Sequence, residues 1–125
     1  MSIMVVSGSL ERLQMAAMVA SVGAVSGHAV TVFLSMNALP YFVKGHETAP
    51  DTEGQFGKIM ASKNLPHFKK LFENAVELGD AKIYPCSMAM DVLELQTQDL
   101  EPFLSEALGL TKFLSDATEG QIWSF

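Results

Sequence analysis

The chain has 125 residues, of which 49% are hydrophobic and 18% are charged, and its formal net charge is −6. These values suit a single globular domain over residues 1–125 and exclude an intrinsically disordered or collagen-like chain. One cysteine excludes a disulfide framework and a zinc site of several thiolates. A lone free thiol is typical of cytoplasmic proteins, so we expect the protein in the cytoplasm. The acidic excess argues against a nucleic-acid partner, which requires clustered Lys and Arg.

The apolar stretch 13–39 is the only part of the chain that resembles a membrane span. Gly27 and His28 divide it into two shorter pieces with different periods, whereas a spanning helix needs about 20 continuous apolar residues. No basic segment precedes it, as a signal peptide would require. We therefore expect two buried elements of a folded domain and no membrane insertion.

Apolar patterning predicts alternating strands and helices along the whole chain. The first helix has Ser9 as its N-cap and Gly27 as its C-terminal stop. In chain order, the predicted elements are strand 2–7, helix 10–25, strand 28–35, an irregular segment 36–56, short helix 55–62, amphipathic helix 66–78 with Gly79 as its C-terminal cap, strand 81–85, a helix starting at 87, a turn and short helix within 97–108, helix 110–117 and strand 121–125.

This order of elements predicts an α/β fold. Strands that alternate with helices form a mainly parallel central sheet, and right-handed crossovers place helices on both of its faces. We find no internal repeat and no low-complexity segment.

Cys86 is the strongest candidate for a chemical role. It directly follows the predicted strand 81–85, and a helix begins after it. Ligands of open α/β sheets bind at the carboxyl ends of strands, and N–H groups at a helix start favour a thiolate. We expect the N–H groups of Met88, Ala89 and Met90 to point toward the sulfur. The alternative is a small buried hydrophobe, which is the usual role of a free cysteine.

Several residues are candidates to assist the thiol. The loop 36–54 follows the second strand at the same sheet edge, so we expect part of it to cover Cys86, with Tyr41 or Phe42 as an apolar wall and His46 within reach. Asp91 is a candidate for helix capping or for proton transfer. Polarizable methionines suit a sulfur pocket or ordinary core packing, and the candidates are Met36, Met88 and Met90.

The sequence predicts neither a metal nor another cofactor. The three histidines have no spacing typical of metal ligands. No phosphate-binding loop and no dinucleotide-binding fingerprint is present.

The segment from Tyr84 to Asp91, which reads YPCSMAMD, resembles the cysteine motif of the DsrE/DsrF-like sulfur-relay family. It is most similar to the branch labelled DsrE-like or peroxiredoxin-like, whose motif reads Cys-x-Met-Ser-Met-Asp. Ala89 stands where that family usually has serine. The resemblance extends over nearly the whole chain through four further segments, at residues 3–8, 30–33, 77–79 and 108–114.

The resemblance implies an α/β sheet fold in a homo-oligomer, commonly a trimer or hexamer. It also implies a sulfurtransferase-like carrier whose cysteine, here Cys86, accepts sulfane sulfur as a persulfide or thiosulfonate. The sulfur then passes to a small TusA-like or rhodanese-like protein. The residues implied to surround the sulfur are Ser87, Met88, Ala89 and Met90. This chemistry needs one reactive thiolate and no resolving cysteine, which agrees with the single thiol.

Two other functions remain open. Cys86 of a one-cysteine thiol peroxidase would form a sulfenic acid. A non-catalytic oligomeric assembly subunit would bury the same residue. Oligomerisation is expected in any case, because more apolar residues are present than one small core needs. The surplus lies in helix residues 16–26, in loop residues 39–43 and in Ile122, Trp123 and Phe125.

Overall fold

The computed structural model describes all 125 residues and has a four-stranded sheet at its centre. The strands are β1 (Ser2–Val5), β2 (Thr31–Leu34), β3 (Lys82–Pro85) and β4 (Ile122–Ser124). They lie in the order β3-β2-β1-β4, and every neighbouring pair is parallel. The α/β class with a parallel sheet is therefore confirmed, and the carboxyl ends of β1, β2 and β3 share one edge.

Five helices and two short 3₁₀ segments surround the sheet. The 3₁₀ segments span Met36–Phe42 and Thr97–Asp99. The helices are α1 (Leu10–Val25), α2 (Gln55–Ala61), α3 (Phe68–Gly79), α4 (Ser87–Val92) and α5 (Leu110–Asp116). None of them has both the length and the apolar character that crossing a membrane would need.

Helices cover both faces of the sheet, as the sequence predicted. The crossovers β1-α1-β2 and β2-α3-β3 step in the same direction, so right-handed connections place α1 and α3 together on one face. The chain then returns to the far side of β1 through α5. Phe113 of α5 stacks on Phe33 of β2, with ring centroids 4.9 Å apart, and this contact fixes α5 against the opposite face.

A close approach between α1 and α3 fixes the packing of the first layer. A Cβ atom at Gly79 would collide with the side chain and backbone of Ala24 in α1. The prediction that Gly79 is the C-terminal cap of α3 is wrong, since Gly79 is the last helical residue and Asp80 takes the left-handed cap position with φ 57°. Gly79 serves close helix packing, and the short Asp side chain tolerates the cap conformation.

The segment after β2 is more ordered than the sequence predicted. Residues 36–42 form a 3₁₀ turn rather than irregular chain, and Leu39 and Phe42 lie fully inside the core. Phe42 packs edge-on against Phe72 of α3 at 5.5 Å between ring centroids. The expectation that this part of the loop is surplus apolar surface is therefore wrong, because the isolated chain already buries it.

Candidate functional site

Cys86 lies at the carboxyl edge of the sheet, immediately after β3. Its backbone N–H donates to the carbonyl of Leu34 at 2.8 Å, which extends the β2–β3 pairing by one residue. Cys86 is the N-cap residue of α4. Its thiol is free, and only 3% of the residue is exposed to solvent. Pro85 and Cys86 thus carry the chain from the sheet edge directly into a helix, as the sequence predicted.

The backbone around the thiol differs from the expectation in one respect. Cys86 uses its carbonyl as the helix-capping acceptor, with the Met90 N–H donating to it at 3.0 Å. No capping hydrogen bond reaches the Cys86 side chain. The expected hydrogen bonds from the amides of α4 to the sulfur are therefore absent, and the Met90 N–H is bound by the Cys86 carbonyl instead.

A segment that the sequence analysis did not associate with the thiol pairs with the outer edge of β3. The Ser105 N–H donates to the Ile83 carbonyl at 2.7 Å. The Leu108 N–H then donates to the Pro85 carbonyl, and the Leu108 carbonyl accepts from the Ser87 N–H, both at 2.9 Å. Cys86 and Leu108 consequently form a parallel β-bridge. Leu108 and Gly109 lie in the 108–114 segment that resembles the family, and nothing in the sequence predicts their pairing with the strand that precedes Cys86.

Cys86 belongs to the apolar core. Its core cluster also contains Ala89 and Met90 from α4, Leu100 from the following loop and Phe113 from α5. The α4 residues therefore divide into two groups. Ala89 and Met90 lie on the buried side with the thiol, whereas Ser87 is partly exposed and Met88 is 49% exposed.

Asp91 does not cap the start of α4. The helix ends at Val92, so Asp91 lies in its last turn, and no acidic residue is present in the first turn. The side chain is exposed to solvent. A carboxylate near a helix C-terminus receives no stabilisation from the helix dipole, so the capping prediction is wrong.

The three candidates from the 36–54 segment lie at the carboxyl edge but not in one place. Met36 follows Ser35 directly after β2, has φ 52° and is 56% exposed. Tyr41 packs edge-on against His46, with ring centroids 5.0 Å apart. Tyr41 and His46 line a cavity between the start of α1 and the chain before α3, and Cys86 is not among its lining residues.

The same segment is tied to the chain that follows α4. The Lys44 N–H donates to the Asp99 carbonyl and the Glu101 N–H donates to the Phe42 carbonyl, both at 2.8 Å. Val43 and Leu100 form an antiparallel bridge between these bonds. This short ribbon joins the 36–54 segment to the chain that follows α4, and its residue Leu100 is part of the single hydrophobic core of the domain.

The carboxyl group of Glu11 and the imidazole of His67, both near this edge, have shifted pKa values. The backbone N–H of Glu53 and, to a lesser extent, that of Gly54 hold the pKa of Glu11 below its ordinary value. Burial and the neighbouring Lys69 ammonium lower the pKa of His67. No three His, Cys, Asp or Glu side chains converge in a way that would hold a metal ion.

The comparisons with known proteins agree with this geometry. The fold is similar to that of the ychN protein from E. coli, with a TM-score of 0.71 over 99% of this chain and 97% of that one, at 14% sequence identity. A comparison with curated protein sequences finds no significant match. The sequence model of the DsrE/DsrF/DrsH-like family matches residues 44–125, which is more than half of the chain and includes Cys86 and Leu108. The chain therefore belongs to the DsrE/DsrF/DrsH-like family.

Proposed function

We propose that this protein is a cytoplasmic sulfur carrier that accepts sulfane sulfur on Cys86 and passes it to a partner protein. Membership of the DsrE/DsrF/DrsH-like family supports a role of the sulfur-relay type. The single observation that carries the proposal is the position of the only thiol. It stands at the carboxyl edge of a parallel sheet, between the end of β3 and the start of α4, where α/β proteins place their reactive groups.

Loading requires a thiolate and a donor that contains a sulfur–sulfur bond. The Cys86 thiolate attacks the outer sulfur of the donor, the new bond forms between the two sulfur atoms, and the donor leaves with the electron pair of its broken bond. Thiosulfate would leave as sulfite and a persulfide donor as a thiolate. No external oxidant or reductant is needed, and the product is a persulfide on Cys86.

Unloading requires a second protein, because the chain has no other cysteine. A thiolate of a TusA-like or rhodanese-like carrier would attack the outer sulfur of the Cys86 persulfide and regenerate the Cys86 thiolate. The exposed residues beside the thiol suit the approach of such a partner. Met36 and Met88 follow neighbouring strands at the same edge and are about half exposed, whereas Ala89 and Met90 would contact the sulfur from the buried side.

The burial of Cys86 has a consequence for this cycle. A thiol in a residue that is 3% exposed reacts with a protein-bound donor only when the surrounding chain opens. We expect the segment 105–108 to open, since only a few backbone hydrogen bonds hold it to β3 at the outer edge of the sheet. In the closed state the loaded sulfur would be shielded from water and oxidants.

Intact-mass spectrometry after incubation with thiosulfate or polysulfide tests the proposal. We expect the wild type to gain the mass of sulfur atoms, to lose it on reduction, and Cys86→Ser to gain none. A matched control is the double variant Cys86→Ser/Ser115→Cys, which moves the only thiol to an exposed position on α5. Loading of the relocated thiol as fast as the native one would show ordinary thiol chemistry and would defeat the proposal.

The same spectra distinguish the other functions. A one-cysteine thiol peroxidase would gain oxygen from peroxide at a rate far above that of the Ser115→Cys control and would gain no sulfur. A non-catalytic assembly subunit would react with neither reagent.

We also propose that the protein is a homo-oligomer, with a trimer or hexamer as the states that the family resemblance implies. Part of the apolar surface that the single chain leaves open forms a groove between α1 and β4. Val22 is 66% and Trp123 is 44% exposed, and with Met15 and Met18 they line a groove of ≈ 440 Å³. Contiguous apolar surface of this kind is typical of subunit contacts.

A further inference from the structure

Two exposed patches of the single chain have opposite charge. The first, which we call the basic patch, lies on α2 and just after it, and it consists of Phe56, Lys58, Ile59 and Lys63. Phe56 is 70% and Ile59 is 46% exposed, and both lie on one face of the helix because they are three residues apart. Residues 54–72 contain four lysines and no acidic residue, so this segment supplies no carboxylate that would neutralise the patch.

The second, which we call the acidic patch, consists of the four consecutive residues from Asp91 to Glu94 at the end of α4. All four are exposed, and Val92 is 72% and Leu93 is 41% exposed. Residues 86–111 contain five acidic residues and no Lys or Arg. The acidic patch therefore matches the basic patch, since each combines two large apolar side chains with two charges, and the charges have opposite sign.

Nothing in the isolated chain balances these charges. No ion pair of the chain contains any of the four charged groups, which are Lys58, Lys63, Asp91 and Glu94. The two carboxylates also lie at the unfavourable end of their helix, because α4 ends at Val92 and the negative end of the helix dipole repels an acidic group. A cation that stabilises them must come from outside the chain.

We propose that the basic patch of one copy binds the acidic patch of the next copy in the homo-oligomer. The two lysines would pair with the two carboxylates, and the apolar side chains of both patches would pack against each other. A second copy is the occupant that the observations favour, because both halves of the contact are present on the same chain and are complementary in charge and apolar character. The inference rests on the homo-oligomer proposed above and not on the sulfur chemistry.

The proposed contact is heterologous, since it joins two different surfaces of the chain. Contacts of this kind generate closed rings or filaments, and the trimer that the family resemblance implies is such a ring. The groove between α1 and β4 is a separate surface, whose lining contains no Lys, Arg, Asp or Glu. The acidic patch lies at the end of α4 that is farther from Cys86, so the contact leaves Met36 and Met88 open to a sulfur acceptor.

Sedimentation velocity of charge-reversed variants tests the contact. Lys58→Glu/Lys63→Glu and Asp91→Lys/Glu94→Lys each place like charges on facing patches. We expect each variant to raise about tenfold the concentration at which half of the assembly dissociates, because two surface ion pairs are lost. The variant with all four substitutions restores opposite charges in every contact and keeps the net charge of −6, so it should assemble as the wild type does.

Lys44→Glu/Lys82→Glu is the matched control. Both lysines are exposed, lie outside the two patches and form no ion pair. The control changes the net charge by the same amount as Lys58→Glu/Lys63→Glu, and it should assemble as the wild type does.

The proposal is overturned if either charge-reversed variant assembles like the wild type, if the fourfold variant remains dissociated, or if the control dissociates to the same extent. These three results would leave the proposed homo-oligomer intact, whereas a monomeric wild type would overturn both. None of these results depends on whether Cys86 accepts sulfur.

Discussion

Leu108 is paired with Cys86 through the backbone, although the two residues are far apart in the sequence. The Leu108 N–H donates to the carbonyl before Cys86, and the Leu108 carbonyl accepts from the N–H after it. This pairing holds the 105–108 segment against the outer edge of β3, beside the only thiol. We therefore expect this pairing to limit how readily the thiol can be reached.

Leu108→Pro should expose Cys86 without removing any group from its side chain. Proline cannot donate the bond to Pro85, and the loss of about 1 kcal/mol at this edge would raise the open population about fivefold. Iodoacetamide should then alkylate Cys86 about five times faster than in the wild type. The control is Ala107→Pro, because the Ala107 N–H has no backbone partner. Equal rates in the two variants would show that this pairing does not guard the thiol.

Gly79→Ala should destabilise the fold. The new Cβ would collide with Ala24, so α1 and α3 would have to move apart, which typically costs about 1–3 kcal/mol. Urea unfolding measures the difference. Gly120→Ala is the control, since a Cβ there meets no atom and its backbone is not in the left-handed region. That variant should be neutral or slightly stabilising, and a similar loss in both would contradict the packing argument.

Glu11→Gln should loosen the chain that enters α2. The Glu11 carboxylate accepts the Glu53 N–H at 2.9 and 2.8 Å through its two oxygens and the Gly54 N–H at 2.9 Å. We expect faster amide exchange at Glu53 and Gly54 in the variant. The stabilisation is present above the ordinary pKa of 4.5 and is lost as pH falls through the lower pKa of the folded state. In the wild type, the exchange protection of Glu53 and Gly54 should therefore decrease in acid. In Glu11→Gln, the lower protection of these amides should not change over the same pH range.

Arg12→Gln is the control for that experiment. It removes the exposed ion pair of Arg12 with Glu53 and leaves the carboxylate of Glu11 in place. Surface pairs contribute about 0–1 kcal/mol, so exchange at Gly54 should change little. If Arg12→Gln accelerates exchange as much as Glu11→Gln, the ion pair and not the carboxylate cap holds this segment.

The sequence predicted the fold class because the strands are short apolar runs and the helices are bounded by strong local signals. Ser9 and Gly27 both occupy the cap positions that their residue types favour, with Gly27 at φ 95°. The errors occur where tertiary packing decides. Gly79 looks like a helix stop until the position of Ala24 is known, and Phe42 looks like surface until Phe72 is placed beside it.

The surroundings of the candidate site were less predictable than the thiol itself. Cys86 follows from local order, because a strand, a proline and a helix start are all readable nearby. Its partner Leu108 is brought there by a β-bridge, and a single pair of residues has no hydrophobic period that a sequence could display. The same holds for Tyr41 and His46, which line a cavity formed by separate segments of the chain.

Val22→Lys should disrupt the proposed homo-oligomer. A lysine in the apolar groove of α1 would place a charge in a subunit contact, so sedimentation velocity should show a smaller species than for the wild type. Leu78→Lys on α3 is the matched control, since Leu78 is equally apolar and exposed but lies outside this groove. A wild type that is monomeric at micromolar concentration would contradict the proposal, as would a control that dissociates to the same extent.

His67→Asn should make the fold less sensitive to mild acid. The Nδ1 atom of His67 accepts the Lys69 N–H at 3.2 Å and so caps α3, which requires a neutral ring. Burial, with a further contribution from Lys69, keeps the pKa of His67 below the ordinary 6.5, so the unfolded chain binds the proton first. The stabilisation is complete above pH 6.5 and is lost as pH falls from there through the lower pKa of the folded state.

Asparagine caps helices well and does not titrate in this range, so the urea midpoint of the variant should fall less between neutral and mildly acidic pH. His28 and His46 are common to both proteins and cancel in the comparison. An equal fall in both midpoints would show that the cap of α3 is not the group that titrates.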